Sequence, residues 1–196
     1  MALPPLAKNS HIYYNCTVLY CIISAGGCQV AKRETEKKRA VYTVNVRTLA
    51  EFTLLTGDLV SDGEAMDRMH DGAEGHRLLQ RAMEKGWQAE EWLSRTEILE
   101  GVPLRVQGRA DAVRRDGALA VLEIKTTYLF PGGIGENDYP AHWAQAQIYA
   151  YILAEGEDRP EAEVSLLYYR MDGASRRFSR RYTRDELRAL FLRYAL

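Results

Sequence analysis

Cysteine is scarce in this chain and confined to one end of it. Cys16, Cys21 and Cys28 are the only three, and none follows them. An odd number without a disulfide framework fits a reducing compartment, and no histidine stands at zinc-like spacing beyond them, so a zinc module is not expected. Long apolar runs are missing too. Cys16 to Ala25, followed by Gly26 and Gly27, looks superficially like the apolar part of an export signal. It is too short to span a membrane, and only Lys8 precedes it as a charged region. The expectation is a cytoplasmic protein without a membrane partner. An excess of charge is also lacking, since 26 Lys and Arg stand against 27 Asp and Glu for a formal net charge of -1. Contact with nucleic acid would therefore depend on local basic patches. Gly132 to Gly135 lacks the Gly-Lys-Ser/Thr ending of a phosphate loop and a helix opening directly on it, which argues against a nucleotide site. No internal repeat is seen.

What is present suits one domain. With 196 residues, 46% hydrophobic and 27% charged, the chain can bury a sizeable core. Residues 1–40 read as a poorly ordered tail or linker ending in a charged stretch, Lys32 to Arg39, or as an artefact of where translation was taken to begin. From Val41 the elements are readable. Val41 to Val46 is a short strand, Arg47 to Thr56 an amphipathic helix closed by Gly57, and Gly63 to Lys85 a long helix closed by Gly86. Glu91 to Leu99 and Val102 to Arg114 form a hairpin about Glu100-Gly101, and Ala118 to Thr126 follows after the turn signal Arg115-Asp116-Gly117. A helix carries Gln145. Strands at Ala162 to Met171 and Arg176 to Tyr182 are joined at Asp172-Gly173, and a last helix begins near Thr183, whose spacing to Glu186 is of capping type. The pattern is α+β, with a mixed sheet flanked by helices.

Polar residues recur in a fixed order across these elements. Gly108-Arg109-Ala110-Asp111 ends one strand, and Glu123-Ile124-Lys125 ends the next. Because strand side chains alternate, Glu123 and Lys125 share one face and Ile124 the other. Ala118 to Ile124 is otherwise a nearly continuous apolar run, and ionisable groups at the end of a core strand are normally paired or bound to metal. Gln145 and Tyr149, four apart, share a helical face. On the residues alone, Glu-x-Lys also fits a surface ion pair, His76 a surface or capping histidine, and Tyr149 a core position at helical spacing. His142, one turn before Gln145, either lines the same cleft or caps the helix.

In that order the residues resemble the RecB-like branch of the PD-(D/E)XK nuclease superfamily. Gly72 to His76 corresponds to its G-x-x-x-H motif, Gly108 to Asp111 to G-x-x-D, Glu123 to Lys125 to E-x-K, and Gln145 to Tyr149 to Q-x-x-x-Y. The resemblance covers about residues 41–196 and implies a restriction-endonuclease-like core. One departure is visible, since Ala110 stands where a proline often precedes the aspartate. The resemblance implies that Asp111, Glu123 and the Ile124 carbonyl ligate Mg2+ or Mn2+, with His76 as a further ligand that would favour Mn2+. It implies that Lys125 stabilises the attacking water or the charge developing on the attacked phosphate, and that Gln145 and Tyr149 orient Lys125 or a phosphate. Related nucleases that hold an iron-sulfur cluster use cysteines on both sides of these motifs, so no cluster is expected in this chain.

The implied function is metal-dependent DNA hydrolysis, by exonuclease or endonuclease action, in repair or recombination. The expected substrate is DNA, single-stranded or with free ends. Candidate backbone contacts are Arg105, Arg109, Arg114 and Arg115 on the motif hairpin, and Arg176, Arg177, Arg180, Arg181 and Arg184 near the C-terminus, each set being otherwise a solvated face. The segment Asn45 to Phe52 and the closing helix are similar to nuclease-like domains that precede Rad3/DinG-type helicases, which implies a helicase partner and a chain that is one domain of a longer protein. A nuclease-fold DNA-binding module without catalysis is the main alternative, and a protein-interaction domain with structural charges only is the third.

Overall fold

The two adjacent hairpins at the centre of the chain form because their turns and strands agree. Glu100 and Gly101 both adopt positive φ, 48° and 81°, the backbone a two-residue turn needs to match the twist of its flanking strands. They join β4, Trp87–Leu99, to β5, Val102–Arg114. The second turn, about Gly117, leads into β6, Leu119–Thr126, which is buried on both faces up to its last two residues and apolar there except for Glu123. In this computed structural model residues 40–54 and 85–196 are described, together with two short N-terminal strands. Those two, Ile23–Ser24 (β1) and Gly27–Cys28 (β2), pair antiparallel within a separate unit, Met1–Arg39.

Ala40–Leu196 is the second unit. Its sheet has six strands in the order β3-β5-β6-β7-β8, with β4 on the other edge of β5. Here β3 is Tyr42–Asn45, β7 Glu161–Tyr169 and β8 Ser175–Thr183. The β3/β5 and β6/β7 pairings are parallel and the rest antiparallel, so the sheet is mixed. Among the described residues three helices flank it: α1, Val46–Thr53; α2, Pro140–Gly156; and α3, Arg184–Ala195. The fold is the restriction-endonuclease-like α+β arrangement.

The core lies between the sheet and α2. Every residue of α2 from Trp143 to Ala154 is buried, because the helix is enclosed by β6, β7, α1 and α3. Enclosure on all sides explains why its sequence is apolar all round. Two buried glutamines interrupt it. Gln147 donates to the Tyr182 hydroxyl at 2.8 Å and accepts from the Tyr194 hydroxyl at 2.7 Å, tying α2 to β8 and α3. A smaller apolar cluster, Ala112, Leu122 and Ile124 with Trp87 and Leu167, covers the other face of the β5–β6 hairpin.

Some boundaries differ from those expected of the sequence. Strand β4 starts at Trp87, not Glu91, because it is an edge strand whose first residues are polar and mostly exposed, so no apolar alternation announces it. Helix α1 ends at Thr53, and its expected stop, Gly57, lies outside the described residues, as does the helix expected at Gly63 to Lys85 except for Lys85 itself. Strand β7 stops at Tyr169, two residues before Met171. Helix α3 opens with a full capping box, in which the Glu186 N–H donates to the Thr183 hydroxyl and the Thr183 N–H to the Glu186 carboxylate at 2.7 Å. Thr183→Ala is expected to cost about 1 kcal/mol, read as a lower midpoint of urea unfolding with an unchanged slope.

Candidate active site

One edge of β5 serves two partners. It pairs with β3 over Leu104–Gln107 and with β6 over Ala112–Arg114. The two registers stop on either side of Gly108 to Asp111, where the sheet forks, and the fork holds the ordered polar residues. The Ile124 N–H donates to Asp111 Oδ2 at 2.7 Å, carrying the β5–β6 contact one step beyond the backbone register. In a strand the N–H and C=O of one residue point to the same edge, so the Ile124 carbonyl also faces the fork beside Asp111.

Glu123 and Lys125 project to the opposite face of β6 from the Ile124 side chain. Glu123 is only 1% exposed, a placement that would cost several kcal/mol without a partner. Lys125 Nζ is that partner at 2.8 Å from Glu123 Oε1, and it donates a second bond to Gln145 Oε1 at 3.1 Å. The Tyr149 hydroxyl, one turn along α2, neighbours Gln145. Burial, and then the charges of Glu123 and Asp111, push the Tyr149 hydroxyl above the ordinary tyrosine range, so it stays protonated. Asp111, Glu123, Ile124, Lys125, Gln145 and Tyr149 are thus brought together.

Gly108 has a steric role in this arrangement. A Cβ there would lie 2.6 Å from the Tyr149 hydroxyl oxygen and 3.3 Å from two ring carbons. The glycine lets α2 lay the tyrosine directly against β5, which links the first residue of the Gly-x-x-Asp motif to the last of Gln-x-x-x-Tyr.

Two further side chains belong to the site without having been singled out as ligands or contacts. Arg47 opens α1 two residues after Asn45, which is in register with Gln107 at the lip of the fork. It is ion-paired with Glu51 at 2.8 Å, and that bond, with the charges of Glu123 and Asp111, raises its pKa against the opposing effect of burial. Only the parallel β3–β5 pairing brings it here, and that pairing has no local sequence signal. His142 lines the cleft. Its Nδ1 lies 3.0 Å from the Tyr168 hydroxyl, and burial, then the charges of Lys125 and Arg47, lower its pKa to about 3.

The remaining sequence candidates are dispersed. His76 lies outside the described residues. Arg109 faces Glu90 at 3.1 Å, and Arg114 stacks over the Trp87 ring. Arg115 is a clamp at the far end of the hairpin, bound through both Nη atoms to Glu91 and through Nε to Glu157 at 2.7 Å. Arg176 and Arg180 reach the segment after β6, donating to the Gly132 carbonyl at 2.6 Å and to Glu136 at 2.7 Å. Arg177, between them on β8, points to the other face, toward Ser165 and Trp87.

Two carboxylates and a main-chain carbonyl are hard oxygen donors, and such a set fits Mg2+ or Mn2+. Among the described residues no three His, Cys, Asp or Glu side chains form a ligand group, so the carbonyl is needed to complete the set.

A forked mixed sheet with an aspartate at the fork and a Glu-x-Lys on the neighbouring strand defines the core of a nuclease fold. The family model of the PD-(D/E)XK nuclease superfamily matches residues 24–195, and the chain belongs to that superfamily. Members of it generally use divalent metals. Among solved structures, SSO0001 is similar with a TM-score of 0.50 at 20% identity, over 81% of this chain and 76% of that one. A phage-related exonuclease from Haemophilus somnus 129PT matches with a TM-score of 0.37 at 14% identity, over 76% of each chain. No curated protein matches.

Two tests follow from this geometry. Gly108→Ala is expected to destabilise by about 1–3 kcal/mol through overpacking. Combined with Tyr149→Phe it should cost less than the sum of the two single changes, since the closest contact is then gone. Additive losses in urea titrations would contradict the contact. For His142 the folded pKa lies below the unfolded value of about 6.5, so the unfolded chain takes up a proton that the folded chain does not. Stability is complete above pH 6.5 and falls as the pH drops toward 3, by at most about 1.4 kcal/mol per pH unit. Unfolding curves from pH 7 to pH 5 should fall less steeply for His142→Gln than for the parent.

Proposed function

We propose that this protein is a divalent-metal-dependent deoxyribonuclease that hydrolyses phosphodiester bonds, working in the cytoplasm on DNA with single-stranded character or free ends. The observation that carries the reading is the fork itself, where Asp111, the Ile124 backbone and the Glu123–Lys125 pair converge. Asp111, Glu123 and the Ile124 carbonyl would hold Mg2+ or Mn2+, with His76 as a further ligand. The bound cation would supply Lewis acidity toward the phosphate and the attacking water.

The chain's own residues do the rest. Lys125 is held by Glu123 and Gln145 with its ammonium at the surface of the cleft, where it can oppose the charge that builds on the phosphate oxygens. Tyr149 keeps its proton beside Gln145, which holds Lys125. Arg47, exposed at the lip of the fork, is suited to bind a phosphate of the incoming strand. Of the arginines expected to contact DNA, Arg176 and Arg180 lie nearest this face, whereas Arg115 is committed to its carboxylates.

Membership of the RecB-like branch and a helicase partner are the finer parts of the proposal. They are supported by the four motifs in order, by the Asn45 to Phe52 segment, and by a role in repair or recombination that such a partner would serve. Scarce cysteine supports the cytoplasmic location, and among the described residues no helix is long and apolar enough to cross a membrane.

The test is cleavage of single- and double-stranded DNA labelled at either end, in Mn2+, Mg2+ or EDTA. Metal-dependent cutting is expected, and Lys125→Ala should slow it about 100- to 1000-fold while leaving metal binding measurable by calorimetry. Cutting at the parental rate by the variant would overturn the assignment of Lys125. No cutting by the parent, with tight DNA binding, would make the chain a nuclease-fold binding module.

A further inference from the structure

The chain leaving the site carries an unusual surface. Directly after Lys125-Thr126-Thr127 come Tyr128, Leu129 and Phe130, exposed by 61%, 58% and 63%. Single exposed apolar residues are unremarkable, but a contiguous run beside an ionic site marks a contact surface. The run is fixed in place. The Thr127 N–H donates to the Tyr169 carbonyl at 2.9 Å and the Leu129 N–H to Thr127 Oγ1 at 3.0 Å. The Phe130 ring folds over Gly132 so closely that a Cβ there would be 2.4 Å away, and the Arg170 guanidinium lies 5.5 Å from its centroid.

A second aromatic step stands nearby. Tyr139 stacks on His142 with centroids 5.1 Å apart and an interplanar angle of 23°, and His142 is bonded to Tyr168. Tyr168 is in register with Lys125 on one side and Arg176 on the other, so the row Lys125, Tyr168, Arg176 crosses three strands. Strand spacing puts each neighbour about 5 Å from the next. Tyr168, itself buried, therefore spaces Lys125 from Arg176 and backs the Tyr139–His142 stack.

We propose that these two steps, Tyr128/Phe130 and Tyr139/His142, are a stacking platform for unpaired nucleobases of the strand whose phosphate meets Lys125. A single strand offers unpaired bases to rings and phosphates to cations, and exposed rings lie together with cations here. In a duplex the base faces are already stacked on one another and cannot reach a ring. Arg170 and Arg176 among the rings favour an anionic strand over an apolar protein segment. The inference rests on the nuclease reading for the direction of the strand, and it narrows the substrate to a single-stranded segment at the site.

The test measures binding by the full chain in EDTA, so that nothing is cut, using fluorescently labelled 12-nucleotide single strands with intact bases or with abasic sites throughout, and a blunt duplex. The parent should bind the intact strand at least about tenfold more tightly than the abasic one, as stacking of one or two bases provides. Tyr139→Leu/Phe130→Leu keeps bulk and apolarity at exposed positions, and it should lose most of that preference while binding the duplex as the parent does. Equal affinity of the parent for intact and abasic strands, or full preference in the double variant, would overturn the platform. Cleavage with Mn2+ is scored in parallel. Cutting without a base preference removes the platform alone, and a base preference without cutting removes the nuclease reading alone.

Discussion

The bond from the Ile124 N–H to the Asp111 carboxylate is the contact on which the rest of the site depends. A strand can pair along one edge with a single neighbour, and β5 divides that edge between β3 and β6. Where the neighbours part, backbone donors of β6 must find another acceptor or be left buried at a cost. Asp111 supplies one, at 2.7 Å. The same side chain thus closes the fork and brings its carboxylate to the Ile124 carbonyl and to Glu123. Site and fold are the same feature here, because a sheet without the fork would have no cleft between β3 and β6.

Charge balance follows from that geometry. Asp111 and Glu123 face Lys125 and Arg47, and Glu51 pairs with Arg47, three anions against two cations in a chain whose overall charge is -1. As it stands the pocket offers no net attraction to a phosphate. A divalent cation on the two carboxylates would turn the balance positive, so binding of metal and of the polyanion should be coupled. Such coupling would let a chain with no overall basic character address nucleic acid through a local field.

Much of this was legible in the sequence because it is local. The hairpin about Glu100-Gly101, the continuous apolar run of β6 ending in Glu123-Ile124-Lys125, and the Thr183 capping box each depend on residues within a few positions of one another. The α2 motif was legible for a different reason. Gln145 and Tyr149 are polar in a helix that is otherwise buried all round, and buried polar groups call for partners. Gln147, two residues from Gln145, shows the limit of that reading, since its partners are Tyr182 and Tyr194 and its role is to tie elements together. Arg47 and the row Lys125, Tyr168, Arg176 could not be read at all, because they depend on parallel pairings between strands far apart in the chain. Arg115 shows the converse. Its position in a basic stretch suggested a phosphate contact, yet Glu91 and Glu157 come from remote elements to engage it.

The arginines show how the fold sorts charge that the sequence leaves undivided. Alternation on β8 sends Arg176 and Arg180 to the face that carries Lys125 and sends Arg177 to the other. On the first face the segment after β6 supplies carbonyls, Glu136 and Asn137 that hold the two guanidiniums in place, with Arg180 stacked 4.1 Å from the Trp143 centroid. A guanidinium held in this way loses little further freedom when a phosphate or a base arrives, so whatever affinity it contributes is less offset by ordering. The same reasoning applies to Phe130, pinned between Arg170 and Gly132. The surface beside Lys125 is therefore held by contacts of its own, as positioning a flexible single strand for attack at one phosphate would require.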